Sequence, residues 1–140
     1  PDGTLFAQNV SFEKSRIKEL ANIFLEYKEE LLKIYDTGFD LIDIIRGSSK
    51  YYTSIGYSEE DAKIVNFYDK RFSGSYSIKK TLPVFSDLSY KELDVSNGTE
   101  ALITYASFPL MDEVELQQKQ TALLEYCKLD TWAMVVILIV

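Results

Sequence analysis

"TLFAQNVSFEKSRIKELANIF", residues 4–24, decides how the fold is read. Its first part, Thr4 to Asn9, reads as a short strand that ends at a polar turn. Ser11 then stands where a helix N-cap is expected. Behind it the spacing turns helical, with Phe12, Arg16 and Leu20 in one series and Ile17, Leu20, Ala21 and Phe24 as the apolar face. A single strand followed almost wholly by helices cannot complete a sheet. The pattern therefore predicts further strands, supplied from outside these residues.

A second helix is predicted over about 27–34. "DTGFDLIDIIRG" turns at Gly38 and continues as a short strand or a helix, between which the period does not choose. Residues 47–74 read as a long loop with a short helix at 59–68, capped by Ser58 and acidic in its first turn. "SYSIKKTLP" predicts a short helix ended by Pro83. "DLSYKELD" reads as a turn and a one-turn helix. "NGTEALITYASF" reads as an Asn-Gly turn leading into a helix, and Asp112 to about Val140 as one or two helices. There is no internal repeat.

At 140 residues the default is one domain, with 46% apolar and 26% charged residues, ordinary values for a globular chain. The chain has no histidine, which excludes His-based triads and His-ligated zinc. Any metal would have to be held by carboxylates, the ligands of Mg²⁺, Mn²⁺ or Ca²⁺. The one cysteine, Cys127, rules out an intrachain disulfide and fits a reducing, cytoplasmic compartment. The apolar tail from Ala133 to Val140 falls far short of the ~20 residues of a membrane span and reads as a buried helix end. A first residue Pro1 and an apolar end "VVILIV" read as cut ends of a longer protein.

Between Arg46 and Lys80 seven basic residues face four acidic ones, a window of +3 in a chain of −7. Such a window is either a polyanion-facing patch or a solvated loop. The same window holds Tyr51, Tyr52, Tyr57, Phe67, Tyr68, Phe72 and Tyr76. Aromatics among basic residues suit stacking on single-stranded bases, and equally suit a loop that packs on its own domain. Lys79 and Lys80 fall in the first turns of the predicted helix after Gly74 and Ser75, where backbone amides and positive charge hold phosphate.

In "LLEYCKLDTWAMVV", residues 123–136, Tyr126 and Asp130 are spaced i, i+4 and share a helix face. The dominant apolar stripe runs through Leu116, Leu123, Leu124, Cys127, Met134, Val135 and Leu138. Tyr126 and Asp130 lie on the adjacent stripe, with Ala122 and Ala133 on either side. An aspartate in such a run must be capped, paired or bound to a cation. The alternative has Tyr126 as a rim aromatic and Asp130 as the cap of a helix resuming at Thr131. Glu13, after "QNVSF", either suits the positive end of its helix or reaches the mouth of a sheet, where open α/β folds hold ligands.

"YCKLD" resembles the Tyr-x-x-x-Asp third motif of the DEDD exonucleases in their tyrosine variant. "NVSFE" resembles their second motif, with Glu13 where Asp is usual. In order, "AQNVSFEKSRIKELA", "SGSYSIKKTLP", "LSYKEL", "NGTEA" and "LLEYCKLDTWAMV" resemble the blocks of a bacterial family of uncharacterised domains with the ribonuclease H-like fold. The resemblance covers nearly the whole chain. It implies an α/β, ribonuclease H-like fold, mostly helical over these residues. It implies a 3′→5′ exonuclease that hydrolyses phosphodiesters of DNA or RNA, at a single-stranded 3′ end, through two Mg²⁺ or Mn²⁺ ions.

On the same resemblance Asp130 and Glu13 would be metal ligands and Tyr126 would orient the attacking water. Asn9 and Phe12 would shape the second-motif turn, with Asp40 near the site. Asn9, Tyr76, Lys79 and Lys80 would face nucleic acid, and fused helicase or nuclease domains are the implied partners. Glu13 and Asp130 should then lie ~4 to 8 Å apart. The first motif, Asp-x-Glu, belongs upstream of Asn9 and does not occur in residues 1–8. The chain alone is therefore expected to be catalytically inactive. The alternative is a non-catalytic nucleic-acid-binding or interaction domain that keeps the fold.

Overall fold

A computed structural model describes residues 3–140. The chain divides into two compact units, Pro1–Lys80 and Thr81–Val140.

In the first unit, strand β1 (Leu5–Ala7) pairs in parallel with β2 (Gly38–Asp40), Phe6 opposite Phe39 and Ala7 opposite Asp40. Parallel neighbours need a long crossover. Here it is helix α1 (Ser11–Ile23), one 3₁₀ turn at Leu25–Tyr27, and helix α2 (Lys28–Asp36). The ambiguous "DTGFDLIDIIRG" thus begins as a strand, and its end, Asp43–Gly47, forms a π-helical turn. Of the apolar face expected for α1, only Ala21 is buried; Leu20 and Phe24 face solvent.

The start of α1 departs from expectation. Ser11 is its first residue and no side chain caps it from the N-cap position, Val10. Asp40, at the end of β2, does that work from the neighbouring strand. Its Oδ1 accepts the Asn9 amide (2.9 Å) and the Ile42 amide (3.0 Å), and its Oδ2 accepts the Val10 amide (3.1 Å). A carboxylate at this place satisfies donors that a helix start leaves open, and it favours the positive end of the helix dipole.

The stretch expected to be mostly loop holds two short helices, α3 (Ser49–Ser54) and α4 (Glu59–Ile64). Ser58 caps α4 as expected, accepting the Asp61 amide at 3.1 Å. Aromatic rings pack edge to face from Phe6 through Phe39, Tyr51 and Tyr52 to Tyr57, with centroids 5.1 to 5.6 Å apart. This relay uses the tyrosines internally. Gly47 has φ +89, and a Cβ there would sit 1.8 Å from the Val65 carbonyl oxygen. Only glycine tolerates both conditions.

Helix α5 (Ile78–Phe85) runs two residues past Pro83. The proline gives up one amide bond, yet the Ser86 amide still reaches Leu82 O at 3.0 Å, so the turn closes beyond it. The second unit continues with a 3₁₀ turn at Tyr90–Glu92, helix α6 (Gly98–Ala106) and helix α7 (Glu113–Ile139). Asn97 caps α6 through the Glu100 amide, and Asp112 caps α7 through the Glu115 amide, both at 2.9 Å.

Helix α7 is one uninterrupted element of 27 residues, so Asp130 caps nothing. Its inner face also differs from the expected stripe. Ala122 and Ala133 are buried, and Tyr126, Leu129 and Asp130 between them are half-buried. Leu124, at 71% exposure, Val135 and Leu138 face outward, and Cys127 is exposed. The small alanines let neighbouring backbone approach closely, and this selects their face over the bulkier one. The helix end is exposed at Ile139 and Val140, against the expectation of a buried end. Among the described residues no helix is long and apolar enough to cross a membrane.

Candidate functional site

Two groups of predicted residues take shape, one in each unit. In the second unit, α7 carries Tyr126 and Asp130 one turn apart on its inner face. Opposite them the 3₁₀ turn at Tyr90–Glu92 brings in Tyr90, which is 4% exposed. The Tyr90 hydroxyl donates to Asp130 Oδ1 at 2.8 Å, and the Tyr90 and Tyr126 rings meet edge to face at 6.0 Å.

Burial, reinforced by the hydrogen bond to Asp130 and by that carboxylate's charge, pushes the Tyr90 hydroxyl far above the ordinary tyrosine range. Burial and then the Asp130 charge also raise Tyr126. Both phenols are thus fixed as neutral donors at neutral pH. Tyr126 Oη takes no protein partner among the described residues, and it faces the start of α6, where a Cβ on Gly98 would lie 3.9 Å away. Asp130 Oδ2 likewise takes no protein donor among the described residues. One carboxylate oxygen and one phenol hydroxyl are therefore open to a ligand or water.

The first unit gathers the other predicted residues around the carboxyl ends of β1 and β2. Asn9 follows β1 with φ +68, a left-handed conformation that asparagine tolerates. Its side-chain oxygen accepts from Ser11 Oγ at 2.8 Å. Glu13 is half-buried in the first turn of α1, with its Oε2 shielded from solvent. Phe12, given a turn-shaping role by the resemblance, is 62% exposed and lies against the Arg16 guanidinium. Asp40 is occupied by three backbone amides and works as a latch between strand end and helix start.

The Tyr76 hydroxyl donates to Asn66 Oδ1 at 2.8 Å, and its ring packs on Phe72 at 5.1 Å. Its side chain is therefore committed to its own unit. Gln8 Nε2 donates to the Tyr76 carbonyl and ties the strand end to the 74–78 loop. Lys79 and Lys80 stand in the first turn of α5 as expected, Lys79 half-buried and Lys80 exposed. Arg71, counted in the basic window, is paired with Asp69 at 2.8 Å, and this pairing holds the Asp69 carboxyl down at about 2.

The resemblance implies two metal ions on four carboxylates. Among the described residues no three His, Cys, Asp or Glu side chains lie close enough to hold a metal ion. Residues 3–140 therefore do not by themselves furnish that donor set. Glu13 belongs to the first unit and Asp130 to the second.

Sequence reasoning missed Tyr90, which acquires its partner only through tertiary structure. Tyr90 stood inside the block "LSYKEL", but nothing local marks it as the donor to Asp130.

No curated protein and no solved structure matches the chain. Residues 1–77 match the family described as Domain of unknown function (DUF2779), from β1 through the loop that carries Tyr76. The match takes in Asn9, Glu13 and Tyr76, and it covers more than half of the chain, which therefore belongs to the DUF2779 family.

Proposed function

We propose that this chain acts on nucleic acid as part of an exonuclease-type site of the ribonuclease H-like kind. Asp130 and Tyr126 are its chemical pair, and a single strand of DNA or RNA with its 3′ end is the ligand. The observation that carries this reading is the open half of the Tyr90–Asp130–Tyr126 group. One oxygen of Asp130 is fixed by Tyr90, while the other oxygen and the Tyr126 hydroxyl have no protein partner among the described residues. Asp130 is half-buried, so its second oxygen is within reach of a ligand as well as of water. In the proposed role Asp130 holds a cationic or hydrogen-bonding group of the reacting centre, and Tyr126 orients a water or a phosphate oxygen beside it. Hydrolysis by the Mg²⁺ or Mn²⁺ route requires carboxylates beyond those that residues 3–140 bring together.

The second reading, a binding domain that keeps the fold without the chemistry, is favoured by that same shortage of carboxylates. Both readings predict binding. Fluorescence anisotropy with 5′-fluorescein oligonucleotides of DNA and RNA tests it. Single strands are expected to bind more tightly than duplexes, with an affinity that falls as salt rises. Absence of binding to any of these probes at low salt contradicts both readings.

A further inference from the structure

The carboxyl ends of the two parallel strands open into a cleft of about 680 Å³. Gln8 and Asn9 enter it from the end of β1, Ile42 and Arg46 from the segment after β2, and Tyr76 and Ser77 from the 74–78 loop. In open α/β sheets this is the place where ligands bind. Its chemistry is uneven in sign. Arg46 is the only ionisable cation on its wall and no carboxylate lines it, although the chain as a whole carries −7.

The Arg46 guanidinium makes no hydrogen bond or ion pair among the described residues; it acts through space on Asp43. Its place is fixed from behind. Phe67 N bonds Ile45 O at 2.8 Å, and Gly47 is pressed against the Val65 carbonyl. The opposite wall is fixed by the Gln8 bond to the Tyr76 carbonyl. The site is thus a preformed cleft with one guanidinium, amide and hydroxyl groups, and apolar surface at Ile42 and Ile78.

We propose that this cleft holds a nucleotide unit of a single nucleic-acid strand, with Arg46 pairing its phosphate and Ile42 and Ile78 flanking its base. A guanidinium meets phosphate oxygens bidentately, and nothing else in the cleft competes for it. The side-chain amide of Asn9 and the hydroxyl of Ser75 suit sugar and base edges. This assignment rests on the nucleic-acid reading above and adds to it a specific pocket and a specific cation.

The test compares the chain with its Arg46→Gln and Arg46→Lys variants, and with Lys33→Gln as a control on α2. The probes are a fluorescein-labelled oligothymidylate, thymidine monophosphate and inorganic phosphate. Circular dichroism checks that each variant is folded. Arg46→Gln is expected to weaken oligonucleotide binding at least ~10-fold, Arg46→Lys to weaken it less, and Lys33→Gln to change it by less than ~2-fold. Amide NMR shifts on adding oligonucleotide are expected at Gln8, Asn9 and Gly74–Ser77. If inorganic phosphate or the mononucleotide binds as tightly as the oligonucleotide, the cleft serves a free anion and the proposal falls. If oligonucleotide binding is unchanged in Arg46→Gln, the cleft assignment fails while the nucleic-acid reading stands. If the unmodified chain binds no oligonucleotide, that reading fails and takes the cleft assignment with it.

Discussion

Tyr90 and Asp130 lie forty residues apart in sequence and meet at 2.8 Å, hydroxyl to carboxylate, beneath the inner face of α7. Because Tyr90 is nearly fully buried and donates to a charged acceptor, its bond stabilises more than an exposed one does. It also fixes which Asp130 oxygen faces the protein and which is left open.

Tyr90→Phe is expected to destabilise the fold by about 1–3 kcal/mol, because it strands a partly buried carboxylate. Urea unfolding measures this. The pH dependence follows from the raised Tyr90 hydroxyl. The folded state holds that proton above pH ~10, where the unfolded chain releases it. The contribution is thus full below ~10 and declines as pH rises further. In an ultraviolet titration Tyr90 should ionise only as the protein unfolds, and Tyr90→Phe should remove one late-titrating tyrosine. Ionisation of every tyrosine near pH 10 in the folded state contradicts the burial assigned to Tyr90.

Asp40 latches the start of α1 to the end of β2. Asp40→Ala removes three acceptor contacts and should cost about 1–2 kcal/mol, in the range of a lost helix cap. Hydrogen exchange should speed up at the Asn9, Val10 and Ile42 amides and stay unchanged through α7. Unchanged exchange at those three amides contradicts the latch.

Gly47→Ala places a methyl group on backbone at a positive φ, so it is strained twice. The expected cost is roughly 2–4 kcal/mol, read as a lower denaturation midpoint. Gly56 has a positive φ but open space around it, so Gly56→Ala should cost less, about 1 kcal/mol. Equal effects at the two positions contradict the close approach of Gly47 to Val65.

Features that depend on a few adjacent residues were legible in the sequence. Ser58 caps α4, Asn-Gly opens α6, and a strand in residues 4–9 runs into a helix. The spacing of Tyr126 and Asp130 placed them on one face, but their face was misjudged. Counting large apolar residues favoured the side of Leu123 and Leu124, whereas packing chose the side of Ala122 and Ala133, where small side chains admit close neighbours. Pro83 was read as a stop, although a proline near a helix end costs one bond and leaves the last turn standing. Tyr90 and Asp40 owe their roles to contacts across the fold, and no local pattern encodes those. The tyrosines of the central window were open to two readings; the relay from Phe39 to Tyr57 favours internal packing for that part of it.

The most direct test of Asp130 and Tyr126 as a chemical pair is the shortening of 5′-labelled single-stranded DNA and RNA in Mg²⁺ or Mn²⁺. It compares the natural protein with its Asp130→Asn and Tyr126→Phe variants. Stepwise loss from the 3′ end by the natural protein is the expected result. A fall of at least ~100-fold is expected in Asp130→Asn and a smaller fall in Tyr126→Phe. Full activity in folded Asp130→Asn would contradict Asp130 as one of the pair.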